Sequence, residues 1–291
     1  AGARRRRPGA EKGEFMSLHA CAPSAASRRR LLALASFGLA AWLLAACAAQ
    51  PGLGDNPQEL PTASDETDAR RRARTRLALA TGYYENGQHT VALDEQKKSL
   101  QIDPGFGEAY NLGGLIYMAL GDMALAQSHF QRAIALNPRD GDALHNLGWL
   151  QCQQGQLAAA NQSFERALAV PTYPGRARTL MAQGVCEARA GNLARAEAAL
   201  MRSYELDAGN PVTAFNLSQL LYQRGDYTRA QFYIRRLNNS ELANAESLWL
   251  GIRVERRLNN RQAMEQLAAQ LRRRFPQSRE LLAHERGAFD D

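Results

Sequence analysis

The sequence predicts an all-α protein built from stacked helical hairpins. Two observations carry this prediction, the types of residue in the chain and a motif that recurs at a fixed period of about 34 residues. The helix formers Ala, Leu, Gln and Arg are abundant, β-branched residues are scarce, and only 11 of the 291 residues are Pro. A repeat period of roughly 20–50 residues is typical of solenoids, so the period makes the prediction specific.

Four columns of residues recur through six repeats, if two residues are inserted before the fourth repeat and one is deleted before the sixth. The first column holds the alanines Ala92, Ala126, Ala160, Ala196, Ala230 and Ala263. Five residues before each alanine stand Gly87, Gly121, Gly155, Gly191 and Gly225, with Leu258 in the sixth repeat. Twelve residues before it stand the small residues Ala80, Gly114, Gly148, Gly184, Ser218 and Gly251. Four residues after it stand Gln96, Phe130, Phe164, Leu200, Ile234 and Leu267.

Each column has a physical role in a helical hairpin. The small residue and the alanine mark where the two helices approach closely, because a bulky side chain there would force them apart. The glycine lies in the turn, where a positive φ ends the first helix. The bulky residue fills the space between neighbouring hairpins. This pattern resembles the tetratricopeptide repeat over about residues 73–277, and the resemblance implies a superhelical solenoid of about six helix-turn-helix repeats. Residues 73–291 are expected to form this domain, including a C-terminal cap.

The formal net charge of +7 is concentrated at the N-terminus. Residues 1–46 contain eight basic and two acidic residues, whereas the chain from Cys47 onward contains 28 basic and 27 acidic residues. Nucleic-acid binding needs a sustained basic face that displaces counterions from phosphate. The near-neutral remainder of the chain therefore excludes nucleic acid as the expected partner.

Residues 1–46 are expected to be an upstream extension followed by a signal peptide, with translation starting at Met16. Three arginines precede the 16-residue apolar run Leu31–Ala46, which is short for a membrane-spanning helix. The run ends in Leu-Ala-Ala-Cys at Cys47 and resembles the lipobox of bacterial lipoproteins. The resemblance implies cleavage before Cys47 and a covalent lipid on its thiol, with no other cofactor. An uncleaved membrane anchor is the alternative.

The residue after the lipidated cysteine is Ala48. In bacterial lipoproteins of enteric type, an Asp immediately after the lipidated cysteine favours retention at the inner membrane. The resemblance therefore implies the periplasmic face of the outer membrane. Residues 47–72 are expected to be the acylated cysteine and a flexible tether, because they are rich in Pro, Gly and polar residues and lack apolar periodicity.

The sequence contains no pattern of residues typical of a catalytic or metal site. The five histidines show no ligand spacing with each other or with cysteines, and a metal site needs three or four convergent ligands. There is no Gly-rich phosphate loop and no nucleophile-elbow motif. We therefore expect neither enzyme activity, nor a bound metal, nor a small-molecule substrate.

The cysteines Cys152 and Cys186 lie on the first helices of adjacent repeats. An oxidising periplasm favours a disulfide between them. Adjacent helix axes lie roughly 8–10 Å apart, which leaves little reach for the bridge. The sequence alone is therefore consistent with two alternatives, a disulfide between these cysteines and two buried free thiols.

The first helices of stacked hairpins form the concave wall of such a solenoid. Helical phase places fourteen side chains there, and eight of them are the candidate contacts for a partner protein. They are Tyr84, Asn111, Leu115, Met118, His145, Trp149, Phe215 and Tyr222. Trp149 is the expected anchor, because Trp is enriched among residues that dominate binding energy. The alternative is that these side chains pack against neighbouring repeats.

A lipobox, a short tether and six repeats together resemble the PilF/PilW family of type IV pilus biogenesis lipoproteins, the pilotins. Five short segments of the sequence strengthen the resemblance. They are Ser247 to Gly251, Phe275 to Glu280, Gly287 to Phe289, Gly225 to Tyr227 with Ala230, and Pro171 to Pro174. The resemblance implies that the protein binds the secretin subunit of the pilus machinery and promotes its localisation or multimer assembly in the outer membrane. A scaffold lipoprotein for barrel-protein insertion or polysaccharide export is the alternative.

Overall fold

The computed structural model describes residues 66–289, in which every regular element is an α-helix. The first helices of six hairpins are α1 (Asp68–Glu85), α3 (Gly107–Ala119), α5 (Gly141–Gln153), α7 (Arg176–Arg189), α9 (Pro211–Gln223) and α11 (Ala245–Arg257). The second helices are α2 (His89–Ile102), α4 (Met123–Leu136), α6 (Leu157–Leu168), α8 (Leu193–Leu206), α10 (Tyr227–Asn238) and α12 (Arg261–Arg274), and α13 (Arg279–Glu285) follows them. The predicted all-α solenoid of six helical hairpins is confirmed. None of the helices between residues 66 and 289 is both long and apolar enough to cross a membrane.

Helix α1 begins inside the segment predicted as tether. Thr67 is its N-cap, with Oγ1 accepting a hydrogen bond of 3.1 Å from the Arg70 backbone N–H, and Asp68 lies in the first turn. The Arg70 side chain also pairs with Asp103 at the end of α2. The predicted domain boundary at residue 73 was the point where the apolar periodicity begins. Capping and this ion pair stabilise helical residues before that point, so the first helix begins earlier than predicted.

Five of the six hairpin turns contain the predicted glycine with a positive φ. The angles lie between 72° and 83° at Gly87, Gly121, Gly155, Gly191 and Gly225. In the sixth hairpin the positive φ of 56° falls on Asn259, which comes one full repeat period after Gly225. The predicted deletion, which placed Leu258 in this turn, is therefore wrong. Asn tolerates the left-handed region better than most residues and takes the place of glycine.

The small-residue column allows a bulky side chain to lie against the first helix. A Cβ atom at Gly148 would lie 2.7 Å from Cε1 of Phe164 and 3.2 Å from the carbonyl oxygen of Ala160. Phe164 is fully buried and shares its apolar cluster with Cys186 of the next hairpin. The bulky column thus fills the space between hairpins, as predicted, and also covers the small residue of its own hairpin.

The first helices lie side by side along the solenoid. Each of α1, α3, α5, α7 and α9 approaches the next first helix, whereas across residues 66–289 no second helix approaches the second helix of a neighbouring hairpin. A stack that is closer on one side curves toward that side. The first helices therefore form the concave side of the solenoid. We call their concave surface, which faces away from the second helices, the inner wall.

Candidate partner-binding site

All eight predicted contact residues lie on first helices, and seven of them are partly exposed. Those seven are Tyr84, Asn111, Leu115, Met118, Trp149, Phe215 and Tyr222. Leu115 and Met118 pack partly against the buried cluster of the second and third hairpins. The wall is therefore accessible, although its side chains also contribute to packing between repeats.

His145 is the exception, because only 7% of it is exposed. Its Nδ1 lies 2.9 Å from Oγ1 of Thr179, and the Tyr173 hydroxyl lies 3.2 Å from the same Oγ1. Burial, and then the positive charge of Arg178, lower the pKa of His145 to about 3. The ring is thus neutral and belongs to a buried hydrogen-bonded cluster, so its prediction as a partner contact is wrong. Tyr173 lies in the inserted turn between α6 and α7, whose path the repeat pattern does not specify.

The middle of the inner wall is held together by bonds between first helices. Asn146 on α5 donates a 2.9 Å hydrogen bond from Nδ2 to Oδ1 of Asn111 on α3. A disulfide joins Cys152 on α5 to Cys186 on α7, with Cα atoms 5.8 Å apart. Of the two alternatives, the structure therefore has the disulfide. The two helices approach closely enough at this point for the thiols to meet. These links fix the relative positions of three consecutive hairpins.

Trp149 lies beside this disulfide. Its partly exposed indole packs against the buried cluster that contains Cys152 and Phe164. The guanidinium of Arg189, on α7, lies 5.7 Å from the centre of the indole ring. A half-covered Trp on a rigid wall retains an apolar face that a partner could bury.

A cleft of about 590 Å³ opens at the C-terminal end of the inner wall, between α9, α11 and α13. We call it the C-terminal cleft, and its walls include Phe215, Gln219, Trp249, Arg253, Arg279 and Glu280. Phe215 is the residue that it shares with the predicted set. A concave surface with aromatic side chains and a few charged groups is typical of a binding site.

Charged and aromatic groups alternate around the C-terminal cleft. The Arg253 guanidinium lies 5.2 Å from the ring centre of Tyr222 and 5.8 Å from that of Trp249. Arg279 donates from Nη2 to Glu246 at 3.0 Å and from Nε to Glu280 at 2.8 Å. Two aromatic rings thus lie near Arg253, and Arg279 joins Glu246 to Glu280.

The sequence reasoning missed Trp249 and Arg253 as members of the inner wall. They come one repeat period after Phe215 and Gln219, in the same register as Asn259 relative to Gly225. The erroneous deletion hid this correspondence. A constant period carried through the last repeat would have identified both side chains.

Metal-binding residues do not converge in the part of the chain that the structure describes. No group of three or more His, Cys, Asp or Glu side chains there could hold an ion. Cys47 and the other residues of the predicted leader lie outside the described residues. The chemistry that the inner wall offers is therefore apolar contact, hydrogen bonding and charge pairing.

Family models for the tetratricopeptide repeat match residues 106–172 and 145–211. These ranges together cover the middle hairpins of the solenoid. The described residues therefore have the tetratricopeptide-repeat fold. Among solved structures of this fold, the protein YrrB has a TM-score of 0.52 and 14% identity over 66% of this chain and 97% of its own. That likeness concerns the fold alone.

Two type IV pilus proteins resemble this tetratricopeptide-repeat protein over most of their length. The type IV pilus assembly protein PilF of Pseudomonas aeruginosa is 28% identical over 204 residues, which are 70% of this chain and 81% of the relative. A solved structure of Pseudomonas aeruginosa PilF has a TM-score of 0.68 and 26% identity, over 76% of this chain and 100% of its own. PilW, described as a widely conserved type IV pilus biogenesis factor, has a TM-score of 0.67 and 28% identity, over 73% and 97%. The predicted resemblance to the PilF/PilW family is confirmed.

Proposed function

We propose that this tetratricopeptide-repeat protein acts in type IV pilus biogenesis as a non-catalytic adaptor. The observation that carries the proposal is the likeness to PilF, which extends over the whole of the solved PilF chain with a TM-score of 0.68. The inner wall supports a binding role, because Leu115, Trp149 and Phe215 are partly exposed there on helices that neighbouring hairpins hold in place.

The partner in this proposal is the secretin subunit of the pilus machinery. The protein holds a secretin segment against the inner wall, while a lipid on Cys47 keeps the complex at the periplasmic face of the outer membrane. Support for the anchor comes from the Leu-Ala-Ala-Cys motif after a basic and then an apolar segment. Two or three acyl chains give stable membrane attachment, whereas a single chain gives only marginal binding.

Deletion of the gene is expected to remove most heat-resistant secretin multimers and to abolish twitching motility. The gene that encodes the natural chain restores both, whereas one that encodes Cys47→Ala yields protein outside the outer membrane and restores few multimers. The measurement is a gel of unheated and heated membrane fractions, probed for the secretin. Unchanged multimers with intact motility in the deletion strain would exclude the proposed function.

A further inference from the structure

Arg189 carries the one unpaired charge in the middle of the inner wall. Helices α5, α7 and α9 contain five side chains that are charged at neutral pH, namely Asp142, Arg176, Arg178, Glu187 and Arg189. Asp142 and Arg178 form an ion pair, and Arg176 donates a hydrogen bond to a backbone carbonyl. Glu187 is buried and accepts hydrogen bonds of 2.8 and 2.7 Å from two asparagine side chains. Only Arg189, of these five, forms no ion pair or hydrogen bond within residues 66–289.

The guanidinium of Arg189 is held beside the Trp149 indole, and its hydrogen-bond donors remain unused. Arg189 is exposed, and its guanidinium lies 5.7 Å from the ring centre of the partly exposed Trp149. A cation near an aromatic ring is attracted by the charge distribution of the ring, which leaves the N–H groups of a guanidinium to other acceptors. Both acidic side chains of α5, α7 and α9 have partners already, so neither competes for this guanidinium.

The surface around Arg189 is apolar and uncharged. Met181 and Val185 precede Arg189 on α7 by about two turns and one turn, so the three residues share one face of the helix. Both apolar side chains are partly exposed. The next first helix, α9, contains no charged residue. A single cation on such a surface attracts one carboxylate, and the apolar surroundings strengthen the attraction because they lower the effective dielectric constant.

We propose that Trp149 and Arg189 together recognise an apolar residue and a nearby acidic residue of the secretin segment. The apolar side chain packs against the indole, and the carboxylate accepts hydrogen bonds from the guanidinium, whose planar donors match two carboxylate oxygens. The inference rests on the proposed function, that the inner wall holds the secretin. It adds the chemistry of the segment and the residue that selects it.

The 5.7 Å separation between the guanidinium and the ring centre limits the spacing of the two partner residues. Alternate residues of an extended segment lie on one face about 7 Å apart. Residues three or four apart on a helix have Cβ atoms roughly 5–6 Å apart. The acidic residue therefore lies within four positions of the apolar one.

The test measures the affinity of the full-length protein in detergent for purified secretin. Arg189→Gln removes the charge and is expected to weaken binding about tenfold at low salt, which is typical of losing a hydrogen bond between charged groups. The affinity of the natural chain should fall severalfold between about 50 and 500 mM salt, because salt screens the attraction. Arg189→Gln should show little of this salt dependence, whereas Arg189→Lys, which keeps the charge, should retain most of it.

Arg202→Gln is the matched control. Arg202 is an exposed arginine on α8, the second helix of the same hairpin, and it likewise forms no ion pair within residues 66–289. This control removes the same charge from outside the inner wall, so it is expected to leave both the affinity and its salt dependence unchanged.

Charge reversal identifies the acidic residue of the partner. Single Asp and Glu residues in the periplasmic part of the secretin are changed to Lys. One of these secretin variants is expected to bind Arg189→Glu more tightly than it binds the natural chain.

Equal affinities of Arg189→Gln and the natural chain, or equal effects of Arg189→Gln and Arg202→Gln, would overturn the inference. The absence of any secretin variant that prefers Arg189→Glu would also overturn it. In each of these cases the natural chain still binds the secretin, so the proposed function stands. A natural chain that binds no secretin, together with intact multimers in the deletion strain, would remove the proposed function and this inference with it.

Discussion

Replacing both Cys152 and Cys186 with alanine lowers the expected free energy of unfolding by about 3–4 kcal/mol. The disulfide joins residues 34 positions apart, and a cross-link of that length restricts the unfolded chain more than the folded one. The alanine variant also loses the covalent link between α5 and α7, next to Trp149. We therefore expect a weaker partner interaction as well as lower stability.

Urea denaturation of residues 48–291 measures this effect. Dithiothreitol is expected to lower the midpoint of the natural chain to that of the alanine variant and to leave the variant unchanged. Thiol titration of the unfolded, unreduced natural chain is expected to find no reactive thiol. Two reactive thiols, or a change in unfolding free energy below about 1 kcal/mol, would contradict the disulfide and its stabilising role.

Acidification from pH 7 to pH 4.5 is expected to remove about 2–3 kcal/mol of stability through His145 alone. Burial holds the pKa of this ring at about 3 in the folded protein, while the unfolded chain has the ordinary value near 6.5. Between these two values the unfolded state binds a proton that the folded state does not. Stability therefore falls as the pH drops below 6.5, and the loss is complete near pH 3.

His145→Gln isolates this contribution, because a neutral amide can still form a hydrogen bond with Thr179. Unfolding free energies of the variant and the natural chain are compared at pH 7 and pH 4.5. Burial also lowers the pKa of His129 and His284, but both remain in the variant and cancel in the comparison. An equal loss of stability in the two proteins would show that His145 is protonated in the folded state.

The repeat architecture could be predicted from sequence because each of its features depends on local spacing. A positive φ at Gly87 and a close helix approach at Gly148 each require a particular residue type at a fixed position. The register of the sixth repeat was missed because Asn259 replaces the glycine there. Asn adopts the same positive φ as glycine, but it does not match the glycine column by which the repeats were aligned.

The details of the candidate site depend on parts of the chain that do not follow the period. His145 is buried in a cluster in which Thr179, near the start of α7, contacts the ring, and Tyr173, in the inserted turn, contacts Thr179. The C-terminal cleft includes Arg279 and Glu280 from α13, which lies beyond the sixth hairpin. Neither an insertion nor a cap has a counterpart in the other repeats, so periodicity alone cannot position them.

Co-purification is the most direct test of whether the inner wall holds the secretin. The tagged protein is purified from detergent-solubilised outer membranes, and the secretin retained per protein is quantified. Trp149→Ala on the inner wall is compared with Phe232→Ala on α10, where the side chain is 62% exposed. The natural chain and Phe232→Ala are expected to retain the secretin. Trp149→Ala, still folded by circular dichroism, is expected to lose at least nine-tenths of it, roughly the loss expected for a hot-spot residue. Absence of the secretin from the natural complex, or equal retention by both variants, would contradict secretin binding by the inner wall.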